Sequence, residues 1–159
     1  MQKAIKYLSK KDKVFASIIE QFGIPAIPAR PQGFETLALL ILEQQVSIDS
    51  AKATFLKLKN AVESFTAKYL LALSDEDYRT CGVSRQKTSY IKALAIAVIN
   101  KDIDIESLPF KSPDVVRAEL IKIKGIGNWT IDVYLIFCLQ SADIIPLGDI
   151  AVVYNKRIV

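Results

Sequence analysis

Apolar residues recur at helical spacing along most of this 159-residue chain, with capping residues between the apolar runs. One run before a glycine is formed by Val14, Phe15, Ile18, Ile19 and Phe22. Another run, over residues 34–46, is strongly apolar and typical of a buried central helix. The sequence contains no pair of strands with hairpin-turn chemistry and no internal repeat. The pattern therefore predicts an all-α fold.

Prolines separate the N-terminal part of the chain from the rest. The first helix is expected to end at Gly23, because glycine is favoured just after a helix. Pro25, Pro28 and Pro31 make residues 24–33 too rich in proline for a helix or a central strand. We therefore predict an N-terminal helix and connector over residues 1–33, then a helical domain over residues 34–159. The length fits a single domain overall.

Serines mark the expected starts of later helices, because a serine hydroxyl accepts a hydrogen bond from an unpaired helical N–H. Ser47, Ser74, Ser84 and Ser112 each precede a segment with helical character. A proline follows Ser112, and proline is tolerated at the first position of a helix. The helix after Ser112 is expected to run to about Ile123.

The absence of histidine excludes several classes of site. Neither Ser-His-Asp nor Cys-His catalysis is available, and no metal can be ligated by histidine. Cys81 and Cys138 form no CxxC motif, so this chain alone cannot build a zinc ribbon or a four-cysteine iron–sulfur cluster. We therefore expect no metal site made of side chains and no iron–sulfur cluster.

Charge and hydropathy point to a protein of the cell interior. The net charge of +4 permits a nucleic-acid partner without requiring one. The charge-free apolar run over residues 133–142 is shorter than the about 20 residues that span a bilayer. Two lone thiols without a secretory leader predict a reducing, cytoplasmic location, associated with the nucleoid if the source is bacterial. No pattern indicates an oligomer, so a monomer is expected.

The most specific local signal is a pair of closely spaced glycines. Gly125 and Gly127 lie between two amphipathic helical segments, and Lys122 and Lys124 flank them with positive charge. A turn of this kind leaves the first amides of the second helix pointing outward, where the helix dipole favours an anion such as a phosphate. The alternative is an ordinary corner between two helices with a glycine cap.

An acidic residue lies in an apolar setting near the end of the chain. Asp149 follows Pro146 and Gly148 among apolar neighbours. A buried carboxylate is costly unless a cation or hydrogen bonds balance its charge. Two roles remain open for it, and they are compatible: a functional acid, or the N-cap of a helix from Ile150 onward.

Four motifs in order resemble those of a family of DNA-repair enzymes. Residues 124–130 (KGIGNWT) and 145–149 (IPLGD) resemble the helix-hairpin-helix, glycine/proline-rich loop and aspartate signature of the base-excision DNA glycosylases. Residues 41–47 (ILEQQVS) are similar to a Gly-Gln-Gln-Ile-Ser block, and residues 81–94 agree as well. Within that family the sequence looks most like the 3-methyladenine DNA glycosylase II branch, which removes alkylated bases. The resemblance implies a helical glycosylase fold.

The resemblance assigns catalytic and pocket roles residue by residue. Asp149 matches the catalytic aspartate of the family. Bifunctional relatives have a Schiff-base lysine directly before the hairpin threonine, Thr130, and Trp129 stands in that position here. Tryptophan cannot form an imine, so the resemblance implies a monofunctional glycosylase without lyase activity. Trp129 resembles the aromatic wall of the base pocket. Tyr134 is a second pocket candidate, although its helical spacing favours the core.

The resemblance also implies which residues hold DNA. The hairpin amides would bind a backbone phosphate, beside a monovalent cation in some relatives, and Gln45 would enter the gap left by a flipped nucleotide. The implied DNA-binding residues are Lys124, Gly125, Gly127, Thr130, Gln44 and Gln45. Arg85, Lys87 and Lys92 are further phosphate candidates, with solvated surface charge as the alternative. Asp132 is interpreted as a surface or capping charge.

The expected activity is hydrolysis of the N-glycosidic bond of flipped-out alkylated purines, such as 3-methyladenine and 7-methylguanine, in duplex DNA. The alternatives are a non-catalytic helix-hairpin-helix DNA-binding module, an oxidised-base glycosylase with lyase activity, and an all-α scaffold for a protein partner.

The sequence departs from the family at Glu43, where glycine is usual, and at Lys124, where proline is common. It ends ten residues after Asp149, so the domain is expected to be C-terminally short.

Overall fold

The structure of the protein, a computed structural model, describes residues 2–26, 28–149 and 152. These residues form nine α-helices and a 3-10 helix with no strand among them, which confirms the predicted all-α fold. The α-helices are α1 (Gln2–Lys11), α2 (Lys13–Phe22), α3 (Phe34–Glu43), α4 (Ile48–Asn60), α5 (Ala67–Ala72), α6 (Asp75–Thr80), α7 (Arg85–Ile99), α8 (Pro113–Leu120) and α9 (Asn128–Phe137). The 3-10 helix, Ile105–Phe110, lies between α7 and α8.

Helix α3 is the centre of the core. Leu37, Leu40 and Ile41 are fully buried, and α3 packs against α4, α7 and α9. Burying one such side chain contributes about 1.5–3 kcal/mol, so α3 holds these three helices around it. This confirms the prediction of a buried central helix in this part of the chain.

Helix α3 ends three residues before the position that the apolar pattern predicts. The helix ends at Glu43, and Gln45 has a φ of 56°. A residue in the left-handed region cannot continue a right-handed helix. The apolar residue that extended the prediction, Val46, is 45% exposed. Residues 44–47 therefore form a loop, and this loop faces the cleft described below.

Two helices, where the apolar pattern predicts one, precede the proline-rich connector. Helix α1 contains four lysines among its ten residues, so the spacing of apolar residues alone does not predict it. Asp12 caps α2, its carboxylate accepting hydrogen bonds from the N–H groups of Val14 (2.8 Å) and Phe15 (3.2 Å). Gly23, with a φ of 76°, follows the end of α2 as predicted. Neither helix contributes a buried residue to the core.

The predicted caps and boundaries of the later helices are largely confirmed. The hydroxyls of Ser47, Ser74 and Ser84 accept hydrogen bonds from the first turns of α4, α6 and α7, whereas Ser112 forms no such bond. Helix α8 ends at Leu120, earlier than predicted. Helix α5 and the 3-10 helix are not predicted, since six residues are too few to show a periodicity.

The connector after α2 docks on the C-terminal end of α9. The Arg30 N–H donates to the Phe137 carbonyl at 2.9 Å, and Gln32 Nε2 donates to the Cys138 carbonyl at 3.1 Å. Burial raises the pKa of the Cys138 thiol to about 11, so this cysteine stays protonated.

Among the described residues, no helix has the length and apolar character needed to cross a bilayer.

Candidate active site

A cleft of about 1060 Å³ lies where four parts of the chain meet: the loop after α3, the start of α7, the hairpin between α8 and α9, and the loop after α9 that carries Asp149. Its volume slightly exceeds the 300–1,000 Å³ typical of ligand sites, so a nucleoside-sized group fits. Most of the residues that the sequence predicts for the site line it: Gln44, Gln45, Gly125, Gly127, Trp129, Thr130 and Asp149. The cleft therefore brings together residues more than 80 positions apart in the chain.

The hairpin presents the N-terminal turn of α9 to this cleft. Gly125 has a φ of 91°, and Gly127 is the N-cap residue of α9. Glycine has no side chain with which to cap the free N–H groups of the first turn. These amides, together with the helix dipole, give the hairpin the geometry of an anion site. A phosphate at this place stays a prediction.

Gly125 is required by close packing as well as by its backbone conformation. A Cβ atom at this position would lie 2.1 Å from Cγ and 2.5 Å from Cβ of Tyr90. The Tyr90 ring therefore packs directly against the hairpin backbone, and α7 and the hairpin fix each other's position. The Tyr90 hydroxyl oxygen in turn lies 2.7 Å from Gln86 Nε2, its donor. The helical segment predicted after Ser84 includes Tyr90, but no local pattern predicts this contact with Gly125.

Gln44 braces the hairpin from the opposite side of the cleft. Its Nε2 donates to the Gly125 carbonyl at 2.8 Å and to Thr130 Oγ1 at 3.1 Å. Both amide hydrogens are thereby used within the protein, and the Thr130 side chain is buried. The structure thus gives these two side chains a supporting role at the hairpin, and their predicted contact with DNA stays a prediction.

Gln45 is held in a conformation that most residues avoid. Its φ of 56° lies in the left-handed region, and its side chain is exposed at the cleft. Such backbone strain persists only where the surrounding structure imposes it, and it is common at functional sites. The adjacent brace at Gln44 supplies that constraint. The position fits the predicted insertion of Gln45 into DNA, which stays a prediction.

Lys87 lines the cleft at the start of α7. Its Nζ donates to the Leu42 carbonyl at 2.7 Å, which anchors α7 to the last turn of α3. Burial lowers the pKa of the Lys87 ammonium below its usual value. Of the other two phosphate candidates, Arg85 is exposed outside the cleft, and Lys92 forms an ion pair with Asp75 at 2.6 Å.

The carboxylate of Asp149 is hydrogen-bonded to the only tryptophan in the chain. Trp129 Nε1 donates to Asp149 Oδ2 at 2.8 Å, across the cleft between the first turn of α9 and the loop that follows it. The Asp149 N–H donates to the Pro146 carbonyl at 2.9 Å, which closes a turn that presents the acid. The indole thus orients the carboxylate while its ring still lines the cleft. The helix predicted from Ile150 onward lies outside the described residues.

Tyr134 does not belong to the cleft, so its predicted place in a base pocket is wrong. Its side chain is fully buried in the core, and its hydroxyl oxygen accepts a hydrogen bond from the Gly33 N–H at 3.1 Å. Burial raises the pKa of the Tyr134 hydroxyl, an effect that the Gly33 hydrogen bond partly offsets. The Tyr134 side chain therefore packs inside the helix bundle and does not line the cleft.

Asp132 is also placed differently from its interpretation as a surface charge. It is 6% exposed, and its Oδ1 forms an ion pair with the Arg117 guanidinium. Arg117 also donates to Asn128 Oδ1 at 3.2 Å. The pair therefore links α8 to the first turns of α9 and holds the hairpin from behind.

Removing the partner of Asp132 is expected to destabilise the fold. Arg117→Ala leaves a buried carboxylate unpaired, which should lower the free energy of unfolding by about 1–3 kcal/mol. Urea unfolding followed by circular dichroism measures the change. The matched control is Arg79→Ala, because Arg79 pairs with Glu76 on the surface and should cost under about 0.5 kcal/mol. Equal losses in the two variants would contradict a structural role for the buried pair.

The two departures from the family motifs have simple structural outcomes. Glu43, which stands in place of a glycine, forms an ion pair with Arg30 at 2.8 Å, so its charge is balanced within the protein. Lys124, which stands in place of a proline, is exposed on the hairpin and outside the cleft lining. Neither residue blocks the approach of an anion to the first turn of α9.

A monovalent cation at the hairpin would have backbone carbonyls as ligands. The Ile123 carbonyl accepts a hydrogen bond from the Ile126 N–H at 3.0 Å, and the Gly125 carbonyl accepts one from Gln44. A carbonyl oxygen has two lone pairs, so these groups keep the capacity to bind a cation. The ion itself stays a prediction.

Comparison with known proteins gives the same family as the motifs. Residues 39–154 match the model of the HhH-GPD superfamily of base excision DNA repair proteins. The alkylbase DNA glycosidase-like protein mag2 of Schizosaccharomyces pombe is 29% identical over 93% of this chain and 73% of its own length.

Two solved structures are similar along nearly the whole chain. The 3-methyladenine DNA glycosylase Mag1 of S. pombe, in complex with abasic DNA, gives a TM-score of 0.84 at 28% identity, covering 98% of this chain and 79% of that one. A DNA-3-methyladenine glycosidase from Bacillus halodurans gives a TM-score of 0.79 at 31% identity, and the match covers 90% of this chain and 66% of that one. The matched region covers between 44% and 73% of the length of the curated relatives. With its hairpin, its loop and Asp149 in the family order, the chain belongs to the HhH-GPD superfamily of base excision DNA repair proteins.

Proposed function

We propose that this protein is a monofunctional DNA glycosylase that hydrolyses the N-glycosidic bond of alkylated purines, such as 3-methyladenine and 7-methylguanine, in duplex DNA. The observation that carries the proposal is the Asp149 carboxylate, oriented by the Trp129 indole in a cleft beside the N-terminus of α9. The names of the similar proteins, which are alkylbase and 3-methyladenine glycosylases, support this substrate class.

Binding must expose the damaged base, because the glycosidic bond is inaccessible inside a stacked duplex. The first turn of α9 binds a backbone phosphate, a contact that positions the protein without reading sequence. Gln45, exposed in its constrained loop, enters the space that the flipped nucleotide leaves. The base then lies in the cleft, against the face of Trp129.

The chemistry uses the positive charge of the damaged base. An alkylated purine of this type is cationic, so it contacts the electron-rich indole face, an attraction of about 0.5–2 kcal/mol. The electrons of the C1′–N bond leave with the base, and the sugar becomes oxocarbenium-like. The ionised Asp149 stabilises that cation and accepts a proton from the attacking water, whose oxygen bonds to C1′. No second carboxylate is needed, because the base departs without protonation.

We propose that this reaction needs no cofactor and is performed by a monomer. The leaving group is already activated by its charge, and one carboxylate suffices to stabilise the sugar cation. The proposed place of action is where chromosomal DNA lies, which in a bacterium is the nucleoid within the cytoplasm. The site's chemistry is thus carried by Asp149 and Trp129, and its affinity by the hairpin.

A duplex oligonucleotide with a single 7-methylguanine tests the proposal against the alternatives. A monofunctional glycosylase leaves the strand intact until alkali cleaves the abasic site. Strand cleavage without alkali would support the lyase alternative, and binding without any alkali-sensitive site would support a non-catalytic DNA-binding module. Failure to bind duplex DNA at low salt would support the scaffold alternative.

Replacing the indole by a ring without an N–H separates the two roles of Trp129. Trp129→Phe keeps an aromatic face and loses the hydrogen bond to Asp149, so the single-turnover rate of base release should fall about 10- to 100-fold, because a hydrogen bond to a charged group contributes about 1.5–3 kcal/mol. Trp129→Leu should lower the rate further, because it also removes the aromatic wall. Rates equal to the unmodified protein in Trp129→Phe would contradict the positioning role of the indole N–H.

A further inference from the structure

The net charge of this chain is concentrated at its N-terminus. Residues 1–33 contain six Lys and Arg against two Asp and Glu, whereas residues 34–159 contain fifteen of each. The segment that carries the cleft therefore has no net charge, and the whole excess of +4 lies before it. Five of the N-terminal cations fall on α1 and the first position of α2: Lys3, Lys6, Lys10, Lys11 and Lys13.

These five side chains, here called the N-terminal lysines, keep their charge available. All are exposed, and none pairs with a carboxylate in the part of the chain that the structure describes. Asp12, the acid among them, directs its carboxylate to the backbone N–H groups of α2. Lys11 lies over the Tyr7 ring, 5.1 Å from its centroid, which keeps the ammonium at the surface.

Six of the fourteen other described cations form ion pairs, and the remaining eight are spread over several helices and loops. The ion pairs elsewhere use Arg30, Lys59, Arg79, Lys92, Lys111 and Arg117. Within the cleft, Lys87 donates to a backbone carbonyl. A cleft on a segment of zero net charge attracts a polyanion weakly at long range, because steering depends on unbalanced charge.

We propose that the N-terminal lysines are a second DNA contact, which binds backbone phosphates of the duplex outside the damaged nucleotide. The inference rests on the proposed function for its choice of a duplex as the partner. A row of unpaired lysines on a helix complements a phosphate backbone and binds it without sequence preference. The contact adds affinity and search along DNA to the phosphate contact of the hairpin, and the cleft supplies recognition of damage.

The attachment of α1 and α2 fits a contact away from the damaged base. The connector docks at the C-terminal end of α9, whereas the hairpin lies at its N-terminal end. The ten residues of α9 span about 15 Å, which equals roughly four to five base pairs at 3.4 Å each. None of the N-terminal lysines lines the cleft, so they meet duplex that flanks the site.

The salt dependence of binding to an undamaged duplex tests this contact. Lys3→Gln, Lys6→Gln, Lys10→Gln and Lys11→Gln are combined in one full-length variant, with glutamine chosen because it suits a helix. The matched control combines Lys52→Gln, Lys57→Gln, Lys68→Gln and Lys101→Gln, which removes the same charge from other exposed positions. Each lost phosphate contact reduces the slope of log K against log salt by about 0.9. We expect the α1 variant to lose about 2–3 in slope and to bind at least about tenfold more weakly at low salt.

The outcomes separate this inference from the proposed function. Equal slopes for the α1 variant and the control would overturn it. Loss of binding to phosphatidylserine vesicles together with unchanged DNA binding would also overturn it, by making α1 a membrane contact. Base release from methylated DNA, measured with protein in excess, should proceed at the same saturated rate in the α1 variant. A chain that binds DNA through α1 but releases no base would retain this contact while the glycosylase proposal fails.

Discussion

Asp149→Asn should lower the single-turnover rate of base release about 100- to 1000-fold while leaving DNA binding nearly unchanged. A carboxylate about 4 Å from a developing sugar cation contributes on the order of 4 kcal/mol at an effective dielectric constant of about 20. Loss of one electrostatic contact to a transition state typically costs 10²–10³ in rate. Asparagine has the same shape, and its carbonyl oxygen can still accept the Trp129 N–H bond. The change therefore removes the charge and keeps the turn.

The control for this prediction is Asp143→Asn. Asp143 is an exposed acid in the same loop, outside the cleft lining, and its φ of 58° is one that asparagine tolerates. The Asp143→Asn variant loses the same charge without a change in the cleft, so its single-turnover rate of base release should stay within about twofold of that of the unmodified protein. A comparable loss in both variants would contradict a specific role for Asp149.

Gly125→Ala should destabilise the protein by about 2–5 kcal/mol and abolish tight binding to duplex DNA. The added Cβ would lie 2.1 Å from Cγ and 2.5 Å from Cβ of Tyr90, and no side-chain rotation moves a Cβ atom out of the way. Overpacking of this kind costs about 1–3 kcal/mol, and the left-handed φ of 91° adds about 1–2 kcal/mol for any residue with a Cβ. Urea unfolding and fluorescence anisotropy of labelled duplex measure the two effects.

Gly127→Ala is the matched variant of the neighbouring glycine. A Cβ there meets no atom within 4 Å, and its φ of −102° is ordinary for alanine. The fold should lose less than about 1 kcal/mol, whereas the methyl group stands where a phosphate would approach the first turn of α9. DNA binding should therefore weaken with stability nearly intact. Full affinity in this variant would contradict a phosphate site at the hairpin.

The parts of this fold that could be predicted are those encoded by local pattern. The buried run of α3, the serine caps and the hairpin glycines follow from spacing and from the chemistry of single residues. The cleft residues that could be predicted, such as Gln45 and Asp149, came from motifs whose order resembles a known family. Helix α1 is not predicted, because four of its ten residues are lysines and the pattern of apolar residues alone does not indicate a helix there.

The remaining features depend on contacts between distant residues. Tyr90 packs against Gly125, and Gln44 spans 81 and 86 positions to reach Gly125 and Thr130. Asp132 is buried because Arg117, on another helix, pairs with it. No local pattern states such pairings, since each requires two helices to be placed first. Burial of these side chains could therefore be known only from the assembled fold.

The most direct test of the central claim is release of free base from duplex DNA treated with a methylating agent. The protein is expected to release 3-methyladenine and 7-methylguanine faster than their spontaneous loss, and to leave strands uncut until alkali is added. Chromatography of the released bases measures this reaction without assuming which purine is preferred. Tight binding to the same DNA with release no faster than in buffer would contradict the claim and leave a DNA-binding protein without glycosylase activity.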